Sequence, residues 1–149
     1  VSDHAALITG IHSFNKSVKV QRTANQTIPN TTWTTIVWQV ERWDTDNIWE
    51  GVTNPERLTC RTAGKAMIIL LATWVLDATG YRTYVVQKNG ANIWVGTYNA
   101  VDGKETVMVG NFPDDMAVDD YYTFLVYQNS GGDLDMRYEE SCFIMIRVP

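Results

Sequence analysis

Apolar side chains fill almost every position from 66 to 76, a run flanked by glycines at 64 and 80. Laid out as a strand, Met67, Ile69, Leu71 and Val75 point one way and Ala66, Ile68, Leu70, Trp74 and Leu76 the other, so neither face suits water. Such a strand needs two covers, the domain's own core and a neighbouring subunit. Leu70, Leu71, Trp74, Val75 and Ala78 also fit a helical stripe, and periodicity alone does not separate the two readings. The alternating, β-rich segments elsewhere favour the strand. The run falls short of the ~18–20 apolar residues that a membrane crossing takes.

The rest of the chain reads as a series of strands. Val18, Val20, Arg22 and Ala24 alternate with Lys19, Gln21 and Thr23, up to a turn-like stretch at 25–30. Ile36, Trp38 and Val40 share one side of a second strand, which ends in the polar loop 44–54. Strands follow at 57–62, at the two-faced run, and at 81–88, the last closing on Lys88-Asn89-Gly90, a strong hairpin signal. Residues 93–98 return from it, and 107–112, 121–128 and 142–148 complete the series. Phe143 and Met145 oppose Cys142, Ile144, Ile146 and Val148, which repeats the two-cover requirement. Met67, Ile69, Leu71, Phe143 and Met145 are therefore the residues assigned to the subunit interface. Eight or nine strands point to an all-β sandwich, of which the jelly roll is the common version at this size.

The length, 149 residues, fits one domain, here 18–149 behind an N-terminal arm at 1–17. A net charge of −5 without a basic patch argues against nucleic acid and anionic lipid as partners. The opening Val1-Ser2-Asp3-His4-Ala5-Ala6 carries no signal-peptide pattern. Cys60 and Cys142 stand far apart in sequence, each among apolar strand residues, as free buried thiols or as a disulfide. His4 and His12, the only histidines, fall in the arm, so no serine or cysteine triad can form inside the sandwich with its own histidine. HExxH, Walker A and GxGxxG are absent. The paired acids Asp114-Asp115 and Asp119-Asp120 sit on short polar loops, where solvated turns are the ordinary reading and no glycosidase cleft is indicated. A binding module, not an enzyme and without a cofactor, is the expectation.

Ordered landmarks add a resemblance. They are Gln21-Arg22-Thr23-Ala24-Asn25, the segment from Leu58-Thr59-Cys60 to Ala63-Gly64 ahead of the apolar run, the Gln87-Lys88-Asn89-Gly90 hairpin, Asp119-Asp120-Tyr121-Tyr122-Thr123-Phe124 and Ser141-Cys142-Phe143-Ile144. Together they resemble the C1q-like globular domain of the C1q and tumour necrosis factor superfamily, which implies a homotrimeric jelly roll. Asp119 stands where that family often has Gly, and Lys65-Ala66 replaces its usual aromatic after the central glycine. The Asn-bearing turns look closest to bacterial and bacteriophage versions. Asp3-His4-Ala5-Ala6-Leu7-Ile8-Thr9-Gly10-Ile11 resembles a linker of tailed-phage fibre proteins, while an ordinary N-terminal arm explains the same residues.

On a jelly roll, strand alternation places the loops 44–54, 77–81, 101–105 and 129–140 at the end opposite the termini. They hold ten acidic and two basic residues, a balance of −8 against −5 for the chain. An acidic tip suits Ca²⁺ or a cationic partner surface, and solubility explains it equally. Trp49, as an apolar platform, with Asp46, Asp133 and Asp135 forms the candidate site for a host-surface saccharide or protein. The resulting expectation is a virion protein: a trimeric fibre or projection domain that attaches to the host, alongside other virion proteins. A decoration or connector protein, and a bacterial surface adhesion domain, are the alternatives.

Overall fold

Alternation of apolar and polar positions builds two antiparallel sheets. A computed structural model describes residues 16–148, which form twelve strands: β1 (Ser17–Gln21), β2 (Gln26–Ile28), β3 (Thr34–Thr35), β4 (Val40–Asp44), β5 (Arg57–Thr59), β6 (Gly64–Thr73), β7 (Tyr81–Lys88), β8 (Ala91–Asn99), β9 (Val107–Met116), β10 (Tyr121–Gln128), β11 (Leu134–Met136) and β12 (Cys142–Arg147). The first sheet runs β4-β1-β12-β6-β9 and the second β3-β10-β7-β8, with β5 also pairing β10. β2 and β11 form a small ribbon.

The two-faced run forms β6, an inner strand of the first sheet between the central β12 and the edge strand β9, and residues 74–76 lie beyond its end. Its even positions Ala66, Ile68, Leu70 and Ala72 are wholly buried. Facing them, Leu58, Tyr122, Phe124 and Val126 come from the second sheet. Each fully buried Val, Leu, Ile or Phe side chain among them contributes about 1.5–3 kcal/mol of transfer free energy. Trp38, Phe124 and Phe143 meet at the centre with ring centroids 5.9–6.2 Å apart, joining both layers.

Trp38 reaches that centre from a segment expected to be a strand. Residues 36–39 are not one, because their backbone bonds go to three different places: Ile36 N–H to Phe124 O, Trp38 N–H to Pro55 O and Gln39 N–H to Gln21 O. The chain there steps from the second sheet to the first, and the strand begins only at Val40. The Asn89-Gly90 turn forms as expected, both residues at positive φ (52° and 81°), which suits a tight hairpin between β7 and β8.

The open side of the sandwich, between β8 and β9, is stitched by aromatic rings. Trp94 stacks on Phe112 at 5.0 Å and its indole N–H donates to the Tyr84 hydroxyl. Tyr98 donates to Val109 O and accepts from Val109 N–H.

Candidate functional site

Register fixes which loops share an end. Ser17 pairs with Ile146, Val18 with Asp44, and Ala66 with Arg147 and Asp114, so the loop after β4 lies at the terminal end. The connections after β6, β8 and β10 lie at the other, where Trp74 bridges Met136 and Ala100 N–H reaches Gly80 O. Three of the four expected tip loops therefore share one end. The fourth, 44–54, sits at the opposite end, because the excursion through β2, β3 and the 36–39 crossover brings the chain back beside β1.

That separates the expected ligand site. Asp46 pairs with Lys16 at 2.6 Å beside the start of β1. Trp49 is a loop anchor: its indole N–H donates to Pro55 O at 3.0 Å, and its ring packs on the core beneath Gly51. The Asp44 carboxylate accepts the Asp46, Ile48 and Trp49 N–H groups and shapes the turn. Asp133 and Asp135 do lie at the tip. Asp135 accepts from the Thr27 hydroxyl at 2.6 Å and the Asn25 amide at 3.4 Å, and Asp133 from Asn30 N–H at 3.4 Å, so both tie the β2 region to the β10–β12 connection.

The three loops that do share the tip, 77–81, 101–105 and 129–140, hold seven acidic and two basic residues. Part of that charge is internally matched. Arg137 bridges Glu105 and Glu139, holding the Glu139 carboxyl below its ordinary range, and the buried Arg82 bonds Asp77 at 3.0 Å. Among the described residues, no group of three or more His, Cys, Asp or Glu converges as a metal site. His4, His12 and the residues resembling a phage linker lie outside the described residues, as do positions 1–15 of the expected arm; Ser17, also assigned to it, opens β1.

The terminal end holds a polar cluster. The buried Tyr122 donates to Asp114, and burial together with that carboxylate pushes the phenol upward. Lys88 bridges Asp114 at 2.9 Å and Asp120 at 3.3 Å. These groups bond one another and close the end of the sandwich.

The subunit face divides differently from expectation. Met67, Ile69 and Leu71 point away from the core, whereas Phe143 (0 % exposed) and Met145 (1 %) are core residues. Pairing sets the reason: Cys142, Ile144 and Ile146 stand opposite Leu71, Ile69 and Met67 and share their outward face, which turns Phe143 and Met145 inward. Val107 and Val109 of β9 extend the apolar face next to Thr73 and Leu71. Its margin on β1 is Ser17, Lys19 and Gln21, with Lys19 over the Trp43 ring at 5.6 Å.

Sequence reasoning missed a third surface. Trp33, Tyr127 and Tyr81 form a ladder on the outward face of the second sheet, with centroids 5.4 and 5.9 Å apart. The weak signal was a tryptophan, Trp33, isolated in a threonine-rich stretch.

No protein-family model matches the chain, and no curated protein does. Solved structures do. Murine APRIL at pH 5.0 aligns with a TM-score of 0.69 at 9% identity, covering 89% of this chain and 98% of that one. Eiger TNF from S. frugiperda aligns at 0.65 and 10% identity, covering 89% and 92%. The globular domain of zebrafish complement 1qA aligns at 0.64 and 11%, covering 91% and 98%. The fold of this chain is the jelly roll shared by the tumour necrosis factor and C1q domains.

Proposed function

We propose that the chain is a trimeric, non-enzymatic projection domain of a bacteriophage virion protein that attaches to the host surface. The observation that carries the trimer is the outward face of Met67, Ile69, Leu71, Ile144 and Ile146, an apolar centre with a polar margin on β1. A contiguous apolar face of this kind marks an interaction surface. A second apolar surface stands at the edge strand β8, where Ile93, Trp94 and Val95 are 38–57 % exposed. Edge against face is a head-to-tail contact, which closes into a ring of three copies when the rotation between neighbours is three-fold. The phage assignment is supported by the Asp3 to Ile11 linker resemblance and the Asn-bearing turns.

Light scattering of the purified chain tests the assembly, three times the 16.9 kDa chain mass being expected. Tail-assembly genes beside its gene, and adsorption of the labelled trimer to that phage's host, support the attachment role; a gene outside any virion cluster overturns it. Repeating adsorption with chelator tests Ca²⁺ at the tip, where carboxylates of neighbouring copies would have to cooperate.

One observation favours a connector or decoration role instead: the tip acids are engaged with Arg137, Thr27 and Asn25 of their own chain. An intact trimer that adsorbs to no host cell would support that role.

A further inference from the structure

We propose that the outward face of the second sheet carries a binding groove for an uncharged sugar ring. The groove encloses about 220 Å³ and is lined by Trp33, Val85, Gln87, Asn92 and Leu125, drawn from the approach to β3 and from β7, β8 and β10. It is a property of the single chain and stands apart from the virion reading.

Three features select the ligand. Trp33 is 48 % exposed although its ring leans on Tyr127, which in turn stacks on Tyr81. The ladder holds the indole in place before any ligand arrives, so little side-chain freedom is lost on binding. An exposed, immobilised aromatic ring offers an apolar plane to the C–H face of a pyranose.

The polar lining consists of amides. Gln87 Nε2 donates to Asn92 Oδ1 at 2.9 Å, and Gln87 Oε1 accepts from the Thr123 hydroxyl at 3.4 Å. Among the described residues, the Asn92 amide nitrogen has no protein acceptor. Amides both donate and accept, which matches hydroxyl groups that do the same. Finally, no lining residue is charged, in a chain of net charge −5. An anionic ligand needs Arg or Lys and a cation needs carboxylates, so the groove suits neither.

The groove also faces away from Met67, Ile69 and Leu71. Of its five lining residues only Asn92 stands on β8, the edge strand assigned to the contact between copies.

Saturation-transfer NMR tests the groove on the full chain, with the methyl glycosides of glucose, galactose, mannose and N-acetylglucosamine as probes. At least one should receive saturation. Trp33→Ala should weaken it about tenfold, the loss expected when one packed ring face is removed. Asn92→Leu, a substitution on an exposed strand, should weaken it with the fold intact, and Trp49→Ala should leave it unchanged. Saturation of none of the four sugars overturns the inference, as does undiminished binding in both Trp33→Ala and Asn92→Leu. Sugar binding by a monomer would remove the trimer and leave the groove standing, and a host-adsorbing trimer that binds no sugar would do the reverse.

Discussion

Tyr84 spans the interior beneath two glycines, and its hydroxyl is the acceptor for the Trp94 indole. A Cβ on Gly96 would lie 2.4 Å from the Tyr84 ring, and one on Gly110 would lie 2.8 Å from its hydroxyl. The ring is buried and cannot retreat, so Gly96→Ala should destabilise the fold by about 1–3 kcal/mol, the usual cost of overpacking. Urea unfolding reads it as a lower midpoint at unchanged slope. Asp120 contributes on the acid side. Bonds from the Asn89 amide, Ala117 N–H and Lys88 hold its carboxyl below the ordinary 3.8. A depressed native value means stability that is present above the unfolded value and lost as pH falls through the native one. Asp120→Asn should therefore flatten the decline in melting temperature below about pH 4. Cys60 and Cys142 are both free and buried, and burial raises both thiols. Thiol titration should find two groups per denatured chain and slow reaction in the native one.

At the level of elements, β6 and β12 give the sharpest contrast. Met67→Asp places a charge on the outward face and should yield a folded monomer. Met145→Asp places it in the core, costing about 4 kcal/mol or more, and should leave no folded protein. Circular dichroism combined with light scattering distinguishes the two, and folded monomer from both variants would put Met145 back on the subunit face. Much of this layer was legible in sequence. β7 and β10 have the expected bounds, since alternation and flanking turn residues agree there. β6 was legible as a two-faced strand, but β12 was read with its faces exchanged. Both of its faces are apolar, so only pairing with β6 decides which one turns inward. Ile36 and Trp38 alternate like strand residues because both enter the core, although the backbone between them changes sheets. β2, β3 and β11, two or three residues each, are too short to leave a pattern.

The candidate site was less legible because it belongs to the whole molecule. Which end a loop occupies depends on counting every crossing before it, and one crossover in the first forty residues moved Trp49 and Asp46 away from Asp133 and Asp135. The sugar groove is assembled from four separate segments, so no local motif announces it. Its aromatic ladder joins residues 33, 81 and 127. The same large-scale view separates the surfaces by the roles proposed for them: one broad face for copies of the chain and the opposite face for a sugar, with residues 16 and 148 together at one end. The last of these has a mechanical consequence. Ser17 and Ile146 are direct partners at the edge of the β1–β12 pairing, and Arg147 N–H bonds Lys16 O beyond them. Tension applied between residues 16 and 148 would load that pairing one rung at a time, as a zipper opens. A pull from the far end against residue 16 would instead shear the rungs together, so in single-molecule stretching the domain should yield at much lower force when held by its two ends than when held by residue 16 and the tip.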